Sequence, residues 1–303
     1  MIMPSVNQSS ANAKGIFWQV VGMLFFGSMD AVSKHLTLTL PVVEILWIRY
    51  LFFAIFGFLL AVRYSGLSGL KTSIPFLQAG RGLALVFEII LFTYAFRYMP
   101  LADAHVMAAS VPLIVLALAV PILKEHVGPR RWIAVIIGFL GVLVILRPGF
   151  GEWQPILLLP LTGALGFAVY LVLTRMAAAF DSVGTSAFYT GIVGLVVLTI
   201  FLPLEWKEPS MEEWGWLIVA SVLGLCGHIS VIKALSMAEA SMLQPFFYVV
   251  LVWATFLGFV IFGDVPDLIT IGGACIIVGS GLYIIFREKV KDKLVVSKTT
   301  LRT

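Results

Sequence analysis

The chain has 303 residues, of which 60% are hydrophobic and 12% are charged, and its formal net charge is +4. Soluble domains are about 45–50% apolar and about 25% charged, so a sizeable water-soluble core is excluded. Because one bilayer span takes about 20 apolar residues, the chain can supply about eight to ten spans and little else. The small positive excess does not suggest nucleic-acid binding, and we expect no nucleic-acid partner.

Ten apolar stretches, bounded by charged residues, glycine or proline, follow one another along the chain. They cover 15–33, 42–62, 74–97, 102–123, 131–147, 155–177, 184–202, 213–235, 240–262 and 268–286. Lipid offers no water to satisfy an open backbone, so stretches of this length must be helices, and the alternation typical of barrel strands is absent. The sequence therefore predicts an all-α integral membrane protein with ten transmembrane helices.

The distribution of basic residues predicts the orientation of these helices. If the polar N-terminal segment 1–14 lies inside the cell, 15 Lys and Arg residues fall on the inner side and five on the outer side. Cytoplasmic loops carry such an excess of basic residues. Both termini, including the basic tail 288–303, are therefore predicted to be cytoplasmic. The expected location is the plasma membrane, which is the inner membrane in a bacterium.

The two halves of the chain resemble each other at a shift of 139 residues. Residues 95–105 (AFRYMPLADAH) align with residues 234–244 (ALSMAEASMLQ), and each forms the end of a helix, a short turn and the start of the next helix. The same shift sets Lys124 opposite Gly263 at the end of the fourth and ninth helices. The spacing thus predicts an internal duplication.

Each half, 15–147 and 155–287, contains five spans. Since five is odd, the second half must enter the membrane from the opposite side, which gives an inverted 5+5 repeat. Such a repeat provides two near-equivalent conformations, open to opposite sides around a site at the membrane midplane. This arrangement favours a transporter that binds a small-molecule substrate within the lipid bilayer.

Six short stretches mark helix ends and turns in both halves. They are 29–34 (MDAVSK), 47–50 (WIRY), 78–82 (QAGRG), 94–104 (YAFRYMPLADA), 124–129 (KEHVGP) and 263–266 (GDVP). Their order and spacing resemble the drug/metabolite transporter superfamily, specifically its ten-helix branch with two EamA domains. Asp264 departs from the family pattern, which usually has Glu there. The resemblance implies a basket-like bundle with the third, fourth, eighth and ninth helices nearest a central cavity, and the fifth and tenth packed at one end.

The resemblance also implies a function. Family members move small metabolites, and this chain looks most like bacterial exporters of amino acids, including aromatic ones. Uptake carriers for S-adenosylmethionine or riboflavin share much of the pattern, and a multidrug or cationic-metabolite carrier is a further alternative. A non-transporting membrane scaffold is the competing class. The sequence contains no recognisable catalytic motif or ATP-binding module, so we expect secondary transport, no enzymatic activity and no cofactor.

A carboxylate in the third helix is the sharpest candidate for the transport site. A charge inside a span costs about 2.5–3.5 kcal/mol on insertion scales, and Glu88 lies far from either helix end. Two interpretations are open. Glu88 either faces a wet cavity, where it could bind an amine or a proton, or pairs with Arg49 or Arg81.

Other polar and aromatic side chains on the inner helices are further candidates. His105 and Gln244 are equivalent under the 139-residue shift, and each could contact substrate or cap its turn. His228 could accept a proton or be a satisfied core histidine. Planar side chains on the expected cavity helices would suit aromatic substrates; these are Tyr94, Tyr170, Tyr248 and Trp253. No histidine has a second ligand at metal-binding spacing, so we predict no metal site.

Proline and glycine positions predict where helices bend and pack. Pro112 and Pro245 lie in the fourth and ninth helices, and each is a candidate hinge or a static kink. Small residues permit close helix approach; the candidate pairs are Gly138 with Gly141, Gly191 with Gly194, and Gly272 with Gly279. We expect a monomer, with the fifth and tenth helices as the surface for any dimer.

Overall fold

The computed structural model describes residues 6–124, 129–146, 155–204, 206–280 and 283, and all regular elements among them are helical. Within these ranges ten helices are present, as predicted. They are α1 (Val6–Leu36), α2 (Val42–Ser65), α3 (Pro75–Tyr98), α4 (Leu101–Leu123), α5 (Pro129–Leu146), α6 (Pro155–Ala177), α7 (Val183–Phe201), α8 (Met211–Met237), α9 (Ala240–Leu243, Gln244–Phe247 and Tyr248–Phe262) and α10 (Leu268–Ser280). Seven are long and apolar enough to cross a membrane, and α5, α9 and α10 contain shorter apolar helices. The first helix begins at Val6, earlier than the apolar pattern indicated.

The duplication is visible in the backbone at the predicted shift. Helices α4 and α9 begin 139 residues apart, and both end in a π-helical turn, at Ala119–Leu123 and Gly258–Phe262. The residue after each turn is left-handed, with φ of 56° at Lys124 and 70° at Gly263. The 139-residue correspondence between the two halves therefore holds from the start of α4 and α9 to their last turns.

Helix pairing follows the same relation between the halves. Helix α1 packs along α8, α3 packs along α6, and α2 packs along α7. Exchanging the two halves converts the α1/α8 pair into the α6/α3 pair and leaves the α2/α7 pair unchanged. The bundle is thus built around a pseudo-two-fold relation that passes between α2 and α7.

Glycines let α2 and α7 approach closely. A Cβ atom at Gly191 would lie 2.5 Å from the backbone nitrogen of Ala54, and one at Gly57 would lie 2.7 Å from the backbone of Phe188. Lipid provides no hydrophobic drive for helix association, so such close van der Waals contact supplies the stabilisation. A side chain at either glycine would push the halves apart.

The contact between α5 and α10 also depends on glycine, but not on all of the predicted ones. Gly138 and Gly141 lie against neighbouring helices, as predicted. Gly272 and Gly279 differ from the prediction, since a Cβ atom at either position would meet no described residue within 4 Å. Gly273 makes the contact instead, because a Cβ there would lie 2.9 Å from the carbonyl oxygen of Gly141. Successive residues of a helix point in directions about 100° apart. The presence of several glycines in α10 therefore does not show which of them faces α5.

Both inner helices are interrupted near their prolines. Helix α4 breaks into Leu101–Ala108 and Val111–Leu118, and Pro112 lies in the first turn after the break. Helix α9 tightens to a 3₁₀ turn over Gln244–Phe247, which contains Pro245. Proline has no N–H to donate to the carbonyl four residues earlier, so the helix is weakened at these points. A hinge function for Pro112 and Pro245 stays a prediction.

Candidate functional site

A cavity with about 50 Å³ of free space lies between the two halves. Its lining comes from α1, α2, α3, α4, α6, α8 and α9, and within the described residues α5, α7 and α10 contribute none. The four helices expected nearest the cavity all reach it.

Five phenylalanines form half of the apolar residues in the wall. They are Phe26, Phe92, Phe96, Phe167 and Phe247. Phe167 connects several of them, since its ring centroid lies 6.2 Å from that of Phe26 and 5.9 Å from that of Phe247. Ring pairs at such distances leave planar faces to contact a ligand. The aromatic character of the site was predicted, but its residues are phenylalanines that the sequence analysis did not single out.

An aspartate and a histidine form a polar pair in the wall. The Nε2 atom of His105 lies 3.1 Å from Oδ2 of Asp30, and its Nδ1 atom lies 2.9 Å from the carbonyl oxygen of Leu101. The imidazole also stacks on Phe96 at a centroid distance of 5.7 Å. These contacts fix the ring in one orientation at the cavity surface. Asp30 was not predicted as a site residue, although it carries the same signal as Glu88, a carboxylate within an apolar helix.

Arg49 and Glu88 bring opposite charges to the same wall. The Arg49 guanidinium is buried; Nη1 donates to Oγ of Ser33 at 3.3 Å and Nη2 contacts Sδ of Met29 at 2.6 Å. The buried Oε2 atom of Glu88 has no hydrogen-bond partner among the described residues. Neither arginine named as its partner lies within 4 Å in the described part of the chain. Glu88 therefore lies in the cavity wall without an ion pair.

Arg81, the other proposed partner of Glu88, belongs to a separate network. Its Nε donates to Oε1 of Gln78 at 3.1 Å, Nη1 donates to Oγ1 of Thr174 at 3.4 Å, and Nη2 donates to the carbonyl oxygen of Ser186. The guanidinium also lies over the ring of Tyr170, 5.6 Å from its centroid. Arg81 thus ties α3 to α6 and α7 behind the cavity.

His228 is held by aromatic rings at the cavity surface. Its imidazole stacks on Phe53 at 5.2 Å, meets Phe26 edge-on at 4.7 Å and meets Tyr170 edge-on at 6.1 Å, all between ring centroids. Its Nδ1 atom has no hydrogen-bond partner among the residues described. Tyr170 itself is fully buried behind this ring and does not line the cavity.

The remaining predicted residues lie elsewhere. Tyr94 packs against the core, and Gln244 donates from Nε2 to the carbonyl oxygen of Ala240 at 3.1 Å, capping its own turn. The Tyr248 hydroxyl donates to the carbonyl oxygen of α10 residue Ile277 at 3.4 Å. Trp253 faces α1, where its Nε1 donates to the Ser28 hydroxyl.

The described residues contain no group of three His, Cys, Asp or Glu side chains placed to hold a metal ion. The chemistry available in the cavity is therefore that of its own side chains. It combines planar apolar faces, two carboxylates, one guanidinium and two imidazoles. Such a set of side chains can contact a small charged molecule that carries an apolar or planar part.

Comparison with known proteins gives the family. A family model described as the EamA-like transporter family matches residues 13–147 and again 154–287. The chain is 33% identical over 275 residues to an S-adenosylmethionine uptake transporter of Rickettsia felis, which covers 91% of this chain and 93% of that protein. It is 27% identical to a pseudopaline exporter of Pseudomonas aeruginosa, over 87% of this chain and 93% of that protein. It is also 27% identical to a riboflavin transporter of Vibrio cholerae, over 92% and 95%.

One solved structure has the same fold. It has a TM-score of 0.65 and 19% sequence identity, and the match covers 90% of this chain and 95% of that one. At this identity the likeness shows the fold alone.

Proposed function

Since the chain belongs to the EamA-like transporter family, we propose that it is a secondary carrier that takes up S-adenosylmethionine by alternating access of its central cavity. The predicted membership of the drug/metabolite transporter superfamily is confirmed by the two family matches. The identity of 33% to a protein named as an S-adenosylmethionine uptake transporter, over nearly the whole length of both chains, supports this choice of substrate.

The composition of the cavity wall is the observation that carries the proposal. S-adenosylmethionine has a planar adenine ring, a positively charged sulfonium and an amino-acid group. The five phenylalanines offer faces for the ring and for the cation, which aromatic rings attract. The wall also carries two carboxyl groups, Asp30 and Glu88, and one guanidinium, Arg49, which can face the oppositely charged groups of this substrate.

The architecture supports the mechanism. A cavity lined by helices of both halves can exchange its opening between the two sides when the halves rock against each other. The breaks near Pro112 and Pro245 place the weakest helix geometry in the inner helices that border the cavity. The substrate would then cross without any covalent step.

Export of amino acids, the function predicted first from the sequence, is not supported by the names of these relatives. The cavity chemistry nevertheless has features in common with an aromatic amino acid, which also joins a ring to a zwitterionic group. Tryptophan and phenylalanine are therefore the informative competitors.

Uptake into proteoliposomes tests the proposal. Purified protein is reconstituted, and entry of labelled S-adenosylmethionine is measured against vesicles without protein. We expect saturable uptake that unlabelled S-adenosylmethionine inhibits and that equal concentrations of riboflavin, tryptophan and phenylalanine inhibit weakly. Uptake equal to that of protein-free vesicles would refute the proposed substrate. Stronger inhibition by tryptophan than by S-adenosylmethionine would instead favour an amino-acid carrier.

A further inference from the structure

Two opposite charges in the cavity wall lack an ion partner among the described residues, and we propose that they form a sub-site for the α-amino carboxylate group of the substrate. Arg49 would bind the carboxylate and Glu88 the ammonium group. The inference rests on the proposed function and deepens it, because it states which residues of the cavity recognise the amino-acid part of the substrate.

Arg49 is positioned for a carboxylate. It is 7% exposed, and its contacts to Ser33 and Met29 hold the guanidinium in place. A guanidinium has five N–H donors, so these two contacts leave others for a ligand. No carboxylate of the described chain lies within 4 Å of it. A buried cation of this kind is costly without a counter-ion, and a ligand carboxylate supplies one in the bidentate geometry that arginine favours.

Glu88 is positioned for an ammonium group. An ionised carboxylate only accepts hydrogen bonds, and the buried Oε2 atom has no protein donor among the described residues. An unsatisfied buried acceptor costs about 1–3 kcal/mol, and more when it is charged. A ligand ammonium group removes this cost, because it brings both a positive charge and three donors.

Polar atoms nearby extend the same sub-site. A smaller cavity with about 10 Å³ of free space shares Arg49 and His228 with the main one and is also lined by Tyr50. The hydroxyl of Tyr50 and Nδ1 of His228 are buried and have no partner within the described residues. Both side chains are less than one-tenth exposed. Arg49 and His228 line both cavities and Tyr50 lines the smaller one, so these polar groups border the place where the two cavities meet and where a zwitterionic group can contact them.

The other carboxylate of the wall is already engaged. Asp30 is paired with His105, whose ring stacks on Phe96. Asp30 therefore needs a charged ligand group less than Arg49 and Glu88 do. We assign the ring and sulfonium of the substrate to the phenylalanines and the amino-acid group to Arg49 and Glu88.

Competition by substrate analogues tests the sub-site in the reconstituted full chain. Decarboxylated S-adenosylmethionine keeps the ring, sulfonium and amine but lacks the carboxylate. For the unsubstituted protein, we expect it to inhibit uptake at least tenfold more weakly than S-adenosylmethionine, as the loss of one charged hydrogen-bonded contact predicts. In Arg49→Gln the two compounds should inhibit within about threefold of each other, because the discriminating group is gone.

Two further variants keep the result interpretable. Arg49→Lys retains the charge and should retain part of the preference for the carboxylate, even if Arg49→Gln folds poorly. Arg97→Gln is the matched control, since Arg97 is exposed at the end of α3 and does not line the cavity. It should keep the full tenfold discrimination.

The possible outcomes test the sub-site and the proposed function separately. Saturable uptake of S-adenosylmethionine with equal inhibition by the decarboxylated compound would overturn the sub-site and leave the proposed function standing. Discrimination that is unchanged in Arg49→Gln would also overturn it. An absence of uptake by the unsubstituted protein would overturn both.

Discussion

Glu88 and the phenylalanines around it determine what the cavity can recognise. The carboxylate lies in the wall of the cavity and has no ion pair with either arginine among the described residues. Its carboxyl group is therefore open to contact with a ligand. This distinguishes it from Arg81, whose contacts join three helices.

Replacing Glu88 by Gln should impair transport without destabilising the protein. The amide keeps the size of the side chain but loses the charge, so affinity for a cationic substrate should fall about tenfold or more. The melting temperature should be unchanged or raised, since an unpaired charge is removed from the interior. Both quantities are measured on one purified variant, with Glu212→Gln, an exposed position in the first turn of α8, as the control. A lower melting temperature with normal flux per molecule would show that Glu88 neutralises a buried cation instead.

Two neighbouring aromatic residues should behave differently when shortened to leucine. Phe247 lines the cavity, whereas the next residue, Tyr248, packs against α10. Phe247→Leu should raise the KM for uptake severalfold at an almost normal melting temperature, because stacking area is lost. Tyr248→Leu should lower the melting temperature and leave KM unchanged, because a packing contact and a hydrogen bond are lost. Equal effects of the two changes on KM would contradict the assignment of the wall.

The sequence predicted some of the residue types in the cavity wall. It did not predict which side chains of the inner helices point into the cavity. A charge in an apolar helix is conspicuous, so Glu88 could be predicted. Tyr94, Tyr248 and Trp253 lie on the expected helices but do not line the described cavity, because contacts between helices fix the rotation of each helix about its axis. Asp30 was missed as a site residue because it lies near the end at which the first helix was expected to stop.

At the scale of helices, one ion pair ties together three helix ends on the same side of the cavity. Nζ of Lys34, at the end of α1, lies 2.6 Å from Oδ2 of Asp264, and this oxygen also accepts from the backbone N–H of Leu101 at the start of α4 at 3.1 Å. The left-handed Gly263 turns the chain after α9 so that Asp264 can face both donors. Lys34 lies in addition over the ring of Phe262, 4.7 Å from its centroid.

Exchanging the two charges tests this contact. Lys34→Asp or Asp264→Lys alone places like charges together in a part-buried site and should lower the melting temperature. The double variant restores opposite charges and should recover at least half of the loss, as expected for a direct pair. Additive losses in the double variant would show that the two residues do not stabilise each other.

Helix boundaries were predicted better than helix contacts. Nine of the ten helices begin within about two residues of the apolar patterns, because lipid requires long uninterrupted helices and tolerates few charges. The 139-residue shift was likewise visible in the turns, where backbone geometry restricts the residue types. Gly272 and Gly279 show the limit, since an apolar helix in lipid can present any of its faces to its partner.

The molecule as a whole is a duplicated bundle whose even number of spans places both ends on one side. Tags at Met1 and Thr303 should therefore both be protected from an impermeant reagent in intact cells and both react after permeabilisation. The excess of basic residues predicts that this side is the cytoplasm. Labelling of the two tags from opposite sides would mean an odd number of spans and would invalidate the inverted repeat.

The central claim is that one cavity serves both sides of the membrane in turn. Counterflow tests it most directly: proteoliposomes loaded with unlabelled S-adenosylmethionine are diluted into a trace of the labelled compound. An alternating-access carrier exchanges outward unlabelled for inward labelled molecules, so we predict that the label rises transiently above its equilibrium level inside the vesicles and then decays. A label that rises monotonically to equilibrium, or no faster than in vesicles without protein, would contradict the account.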